Sequence, residues 1–201
     1  KEYVPGDDIR TINWKATARH GKMQVNVEKP SFDQEVYIFL DHPPEHDWWQ
    51  SAVRNTLEIG IMTAASLIHR YSKAGFQIQF QSNVVSRLYG LENAPVRVDP
   101  GRGQRTQLLT NLALIQSFSV KRMEQILDTV HRTIRPGSSV IVITTKQGEY
   151  DPAFVRSVRR LGRACQVSLL RIAGDEPVQS VKGIKEFTVD GRGGWRDLQT
   201  L

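Results

Sequence analysis

The run Glu35-Val36-Tyr37-Ile38-Phe39-Leu40-Asp41 decides how this chain folds. Five apolar residues stand in a row, and an acid closes the run. Strands that are wet on one face alternate apolar with polar residues, whereas strands covered on both faces read as continuous apolar runs. The stretch is therefore expected to be a central parallel strand. A second run of the same kind, Ser139 to Thr145 (S-V-I-V-I-T-T), reads as another strand of the same sheet.

Helices and strands alternate outward from these two. Trp48 to Tyr71 carries apolar residues round much of its circumference (Val53, Leu57, Ile61, Ala64, Ala65, Ile68), as a helix against a sheet does. Phe76 to Gln81 alternates without a break and reads as a strand with one wet face. Helices are expected over Thr106–Ile115, Val120–Ile134 and from Asp151 to Gly162, the last with Asp at its cap and Pro at its first turn. Gln24–Glu28, Gln166–Ile172 and Ile184–Val189 read as strands, and a short helix is expected after Trp195. Residues 83–105 are rich in Pro and Gly and read as a mobile loop with a short strand in its middle. The pattern predicts an α/β fold, an open and mainly parallel sheet with helices on both faces.

With 201 residues, 39% hydrophobic and 24% charged, the chain suits one soluble globular domain. The best candidate for a membrane span, Ile59–Ile68, is too short and too polar for one. The single cysteine, Cys165, has no internal partner for a disulfide and reads as a buried strand thiol, which favours the cytosolic side of any membrane. The net charge of +6 is uneven. Residues 1–100 hold 11 basic and 12 acidic side chains, residues 101–201 hold 16 and 9, so the second half carries the excess. Such asymmetry points to an acidic partner, an anionic membrane surface or nucleic acid.

The opening residues are too polar for a core strand. Pro5-Gly6 signals a turn, and Asp7 or Asp8 is expected to cap a short helix through Thr17. On that helix Arg10 and Trp14 would share one face, with Lys15 and Arg19 on the next. The stretch Tyr3-x-Pro5-Gly6-Asp7-Asp8-x-Arg10-x-Ile12-x-Trp14-Lys15-x-x-Ala18-Arg19 resembles the signature of the bacterial family catalogued as domain of unknown function 58, with Asn13 where that family has Asp. The resemblance implies a von Willebrand A-like, Rossmann-type domain over residues 31–201, preceded by a signature segment over 1–30. It also implies work with MoxR-type AAA+ ATPases and hydrophobic segments upstream. The chain starts inside its own motif and is accordingly expected to be a fragment of a membrane-anchored protein. The residues Asp7, Asp8, Arg10, Trp14, Lys15 and Arg19 either brace the domain or form a docking surface.

The resemblance also implies where a metal would bind. In the von Willebrand A fold, Asp-x-Ser-x-Ser follows the first buried strand, a second loop brings Thr, and a third brings Asp. This sequence has Asp41-His42-Pro43-Pro44-Glu45, Thr106 as the nearest second-loop match, and Thr144-Thr145-Lys146 in the third place. Proline offers no side-chain oxygen and Lys146 adds positive charge, so the Mg²⁺ site is expected to be degenerate. A Zn²⁺ reading of Asp41, His42, Glu45, His46 and Asp47 founders on Pro43-Pro44, which break the helix that His-x-x-x-His needs. Trp48 and Trp49 read as core residues or as a partner-binding rim.

Arg156, Arg159, Arg160 and Arg163 fall at helical spacing and form a basic face, which Lys121, Arg122, Arg132 and Arg135 would extend. No nucleophile elbow, phosphate loop or catalytic triad stands out. The expected function is a non-enzymatic, cofactor-free protein-interaction domain on the cytosolic side of the membrane. The alternatives are a metal-dependent adhesion module using Asp41, Glu45 and Thr106, and a nucleic-acid binder using the arginine face.

Overall fold

The computed structural model of the chain describes residues 2–4, 12–25, 35–42, 51–86, 96–97, 103–119, 121–146, 148–172 and 180–189. It divides into two compact units, Lys1–Phe32 and Asp33–Leu201.

The first unit contains helix α1 (Trp14–His20), with the segment Lys22–Val25 beside it. Isolated bridges join Glu2 to Gln24 and Ile12 to Val25. The amide of Gln24 donates to the hydroxyl of Thr17 at 3.0 Å. In place of the expected Asp7 or Asp8, Asn13 caps α1, its side-chain oxygen accepting from the Ala16 amide at 2.9 Å. Asn and Asp cap equally well, so the departure at position 13 leaves the helix start satisfied. Gly21 ends the helix at φ 65°, a conformation that favours glycine. Asp7, Asp8 and Arg10 lie outside the described residues.

The strands of the second unit are β1 (Glu35–Asp41), β2 (Gln77–Ser82), β3 (Val84–Ser86), β4 (Val96–Arg97), β5 (Ile115–Ser119), β6 (Ser139–Thr144), β7 (Gln166–Ile172) and β8 (Lys185–Val189). Its helices are α2 (Ser51–Lys73), α3 (Gln104–Ala113), α4 (Met123–Val130) and α5 (Pro152–Leu161). The main sheet has the order β4-β2-β1-β6-β7-β8, with β4 antiparallel and the other five parallel. The expected mainly parallel α/β sheet is thus the observed one. A separate ladder pairs β3 with β5. The sequence reading misses β5 and places β3 inside a loop. It also draws α4 too long, over Val120–Ile134.

Every residue of β1 is buried, and the pleat sends alternate side chains to opposite faces. Val36, Ile38 and Leu40 join Ile141, Ile143, Leu170 and Ile172 beneath α2 and α3. Tyr37 and Phe39 join Val140, Val142, Val167 and Leu169 beneath α4 and α5. On α5 it is Phe154, Ser157, Val158 and Leu161 that are buried, while Val155 is half-buried. Each fully buried aliphatic side chain stabilises the fold by about 1.5–3 kcal/mol, so the two layers supply most of the driving force. Helix α2 comes close to the sheet at Gly60, where a Cβ would lie 3.0 Å from Leu40 Cδ1 and 3.1 Å from Thr145 Cγ2.

No helix among the described residues is long and apolar enough to cross a membrane. Residues 26–28 of the expected first strand, the helix after Trp195, and Glu45, His46, Asp47, Trp48 and Trp49 lie outside the described residues.

Candidate functional site

The chain runs from β1 through α2 to β2 on one side, and later returns to β6 on the other side of β1. Ligands of open α/β sheets bind at such a switch point, beyond the carboxyl ends of the strands. Here that place lies between Asp41, the last residue of β1, and Thr144, the last of β6, which are register partners.

Asp41, His42, Asn83, Thr144 and Thr145 are all buried there. The Asp41 carboxylate is buried; its Oδ1 accepts from Asn83 Nδ2 at 2.9 Å and its Oδ2 from Thr144 Oγ1 at 2.9 Å. Asn83 stands one residue past β2, and its own Oδ1 accepts from the His42 amide at 2.8 Å. The His42 ring nitrogen Nδ1 and Thr145 Oγ1 are 2.8 Å apart, and the Thr145 amide donates to the Asp41 carbonyl at 3.0 Å. The Lys146 amide donates to Thr144 Oγ1 at 3.2 Å. Three strand ends are stitched together through one acid.

The electrostatics follow from burial. Desolvation raises the Asp41 carboxyl to about 6, against the pull of the Thr144 hydroxyl, the Lys146 charge and the Asn83 amide, with Glu124 adding to the rise. Burial lowers the His42 imidazole and so favours its neutral form.

Thr106, expected to face this site, is an exposed residue of α3 with no described bond to Asp41. Among the described residues no cluster of three or more His, Cys, Asp or Glu forms a metal cage. Sequence reasoning missed Asn83 altogether. Its only sign was positional, because the residue that follows a strand parallel to β1 ends beside Asp41.

The basic face sits apart from this crevice. Arg156, Arg159, Arg160 and Arg163 are all exposed, and Arg160 pairs with Asp128 at 3.2 Å. Arg122 lies 3.8 Å from Glu124 and Arg135 3.6 Å from Glu35. Cys165 is a buried free thiol, its sulfur 3.7 Å from the Arg135 carbonyl. In the first unit Trp14 is 69% exposed, and Lys15 and Arg19 are exposed along the same short helix.

A solved structure shares the architecture. A von Willebrand factor type A protein from Catenulispora acidiphila aligns over 83% of this chain at 12% identity with a TM-score of 0.53. The aligned chain spans 41% of that protein. The conserved hypothetical protein BatB from Bacteroides thetaiotaomicron aligns at 15% identity and TM-score 0.45, over 78% of this chain and 76% of that one. An aerotolerance-related membrane protein from Bacteroides fragilis aligns at 16% and 0.45, over 80% and 79%. At its identity the first of these speaks to fold alone. No curated protein sequence matches the chain. Residues 1–176 match the family described as Protein of unknown function DUF58, and the chain belongs to that family.

Proposed function

We propose that this is a non-enzymatic, von Willebrand A-like interaction domain that needs no metal or other cofactor and works as an adaptor for a MoxR-type AAA+ ATPase. In this reading it forms the cytosolic part of a membrane-associated protein. One observation carries the reading: at the switch point the Asp41 carboxylate is buried and already hydrogen-bonded by the chain itself, between Asn83 and Thr144. Mg²⁺ demands near-octahedral oxygen ligands. The described donor set does not fit it, since an amide N–H and a hydroxyl already point at the carboxylate. His42 Nδ1 does lie 2.8 Å from the Thr145 hydroxyl, but that hydroxyl is buried and directed at the Asp41 carbonyl at 3.4 Å, and among the described residues no third group orients the ring. Such a domain would act through its surface. The ATPase and the membrane enter from the family resemblance.

The test is a binding titration of the chain against a MoxR-type ATPase from the same genome, read by calorimetry and by ATPase rate. Saturable binding is the expected result, and its absence would overturn the adaptor reading. A thermal-shift titration with Mg²⁺, Mn²⁺ and Zn²⁺ against EDTA runs beside it. A saturable rise in Tm that Asp41→Ala abolishes would establish metal-dependent adhesion instead, because a ligand of the native state stabilises it by mass action.

A further inference from the structure

A cleft of about 260 Å³ opens between α5 and the segment leading into β8. Tyr150, Val155 and Arg159 form one wall, and Ser180, Val181 and Lys182 the other. The cleft is anchored from below. The Tyr150 phenol donates to Glu186 Oε1 at 3.1 Å, Glu186 Oε2 accepts from the Val181 amide at 3.2 Å, and the Tyr150 ring stacks on Phe154 at 5.5 Å. These polar groups are already spent on each other. Those left facing a ligand are the Arg159 guanidinium, the Lys182 ammonium and the Ser180 hydroxyl, with Glu149 the one acid of the lining.

Charge says what fits. Arg159 and Lys182 are exposed and make no ion pair with any described residue, and the same holds for Arg156 and Arg163 nearby in the chain. Of these four arginines, Arg160 alone pairs with an acid among the described residues, at Asp128. The cleft is smaller than the roughly 300–1,000 Å³ of a small-molecule or cofactor pocket, so its size suits one or two side chains. A duplex or a bilayer would lie across the arginines without filling it. We propose that the cleft receives an aspartate or glutamate side chain from a linear acidic segment of a protein partner, its carboxylate held between Arg159 and Lys182. This deepens the interaction reading above and rests on it.

The probe is a short fluorescein-labelled peptide of alternating glutamate and alanine, followed by fluorescence anisotropy at low salt. The double variant Arg159→Glu/Lys182→Glu is expected to weaken binding about tenfold or more, whereas Arg132→Glu, away from the cleft, costs less than about threefold. Ser180→Trp plugs the cleft without changing charge and is expected to weaken binding as the double variant does. All these positions are exposed, and circular dichroism checks that each variant stays folded. Equal losses from Arg132→Glu and the double variant, or full affinity in Ser180→Trp, would overturn the proposal. So would binding to phosphatidylglycerol vesicles or to a DNA duplex with none to the peptide. The ATPase titration separates the two readings. If the wild type and the double variant capture the ATPase equally, the cleft fails and the adaptor reading stands. If the peptide binds by the cleft and the ATPase does not bind, the adaptor reading fails and the cleft stands.

Discussion

Replacing Asp41 by asparagine should make this protein more stable at neutral pH. Burial raises the Asp41 carboxyl from its ordinary 3.8 to about 6 in the folded chain. Each pKa unit is worth about 1.4 kcal/mol, so the rise amounts to about 3 kcal/mol. Its sign follows from linkage. Between pH 4 and 6 the folded state holds a proton that the unfolded state has released, so stability falls as pH rises and levels off above 6. At pH 7.5 the wild type bears the whole cost of a buried carboxylate, and below pH 4 it bears none. In Asp41→Asn the new side-chain oxygen would keep the acceptor for Asn83 Nδ2, while the new amide would turn to Thr144 Oγ1, which must then accept where it now donates. That reversal costs about 1 kcal/mol. The net expectation is a gain of about 1–2 kcal/mol at pH 7.5, fading to a small loss at pH 4. Urea unfolding of both proteins across that range, in EDTA, measures it. A loss at pH 7.5 as large as that at pH 4 would refute the reasoning, because the carboxylate would then not be a buried cost.

Three further perturbations test the frame around the site. Gly60→Ala improves helix propensity by up to about 1 kcal/mol, yet its Cβ would meet Leu40 and Thr145 at 3.0–3.1 Å; a net loss of about 1–2 kcal/mol is expected, and a raised Tm would contradict it. Asp151→Ala removes the N-cap of α5, whose carboxylate accepts from the Ala153 amide at 2.8 Å, and should cost about 1 kcal/mol in urea unfolding. Asp128→Ala breaks a half-exposed pair with Arg160 and a hydrogen bond from Ser157; chemical denaturation should show a loss below about 1.5 kcal/mol, and a larger one would mark the pair as structural.

The sheet was legible because burial on both faces leaves its mark on the residues themselves. Val36 to Leu40 and Val140 to Ile143 have no polar position to hide, and Asp151-Pro152 announces α5 by the chemistry of its cap. The β3–β5 ladder was not legible. Ile115-Gln116-Ser117-Phe118-Ser119 is half polar, and its partner lies about thirty residues away across a ladder with a register shift. Nothing local encodes such pairing. The candidate site was half legible for the same reason. The sequence located Asp41 and noted Thr144 and Thr145 only as the absence of an acid. Their role as partners of Asp41 and His42, and that of Asn83, arises when parallel register brings three strand ends together. Gly60 did carry a local sign, since a glycine deep inside a helix is costly unless something packs close.

The register places Asp41, Thr144, Arg171 and Thr188 in one row across β1, β6, β7 and β8. Asp41 and Arg171 are two strand spacings apart, about 10 Å, too far to pair. Asp41 is held instead by Asn83 and Thr144, with the charge of Lys146 nearby and burial still costing more than they return, whereas Arg171 Nη1 is buried without a hydrogen-bond partner among the described residues. A cation arriving at Asp41 would have to break two protein hydrogen bonds and face Lys146. The arginines of α5 and its C-terminal end are in the opposite position, because Arg156, Arg159 and Arg163 have no counter-charge among the described residues. An incoming carboxylate there has no ion pair to break among the described residues. Association is therefore expected to depend on α5 and to weaken with salt.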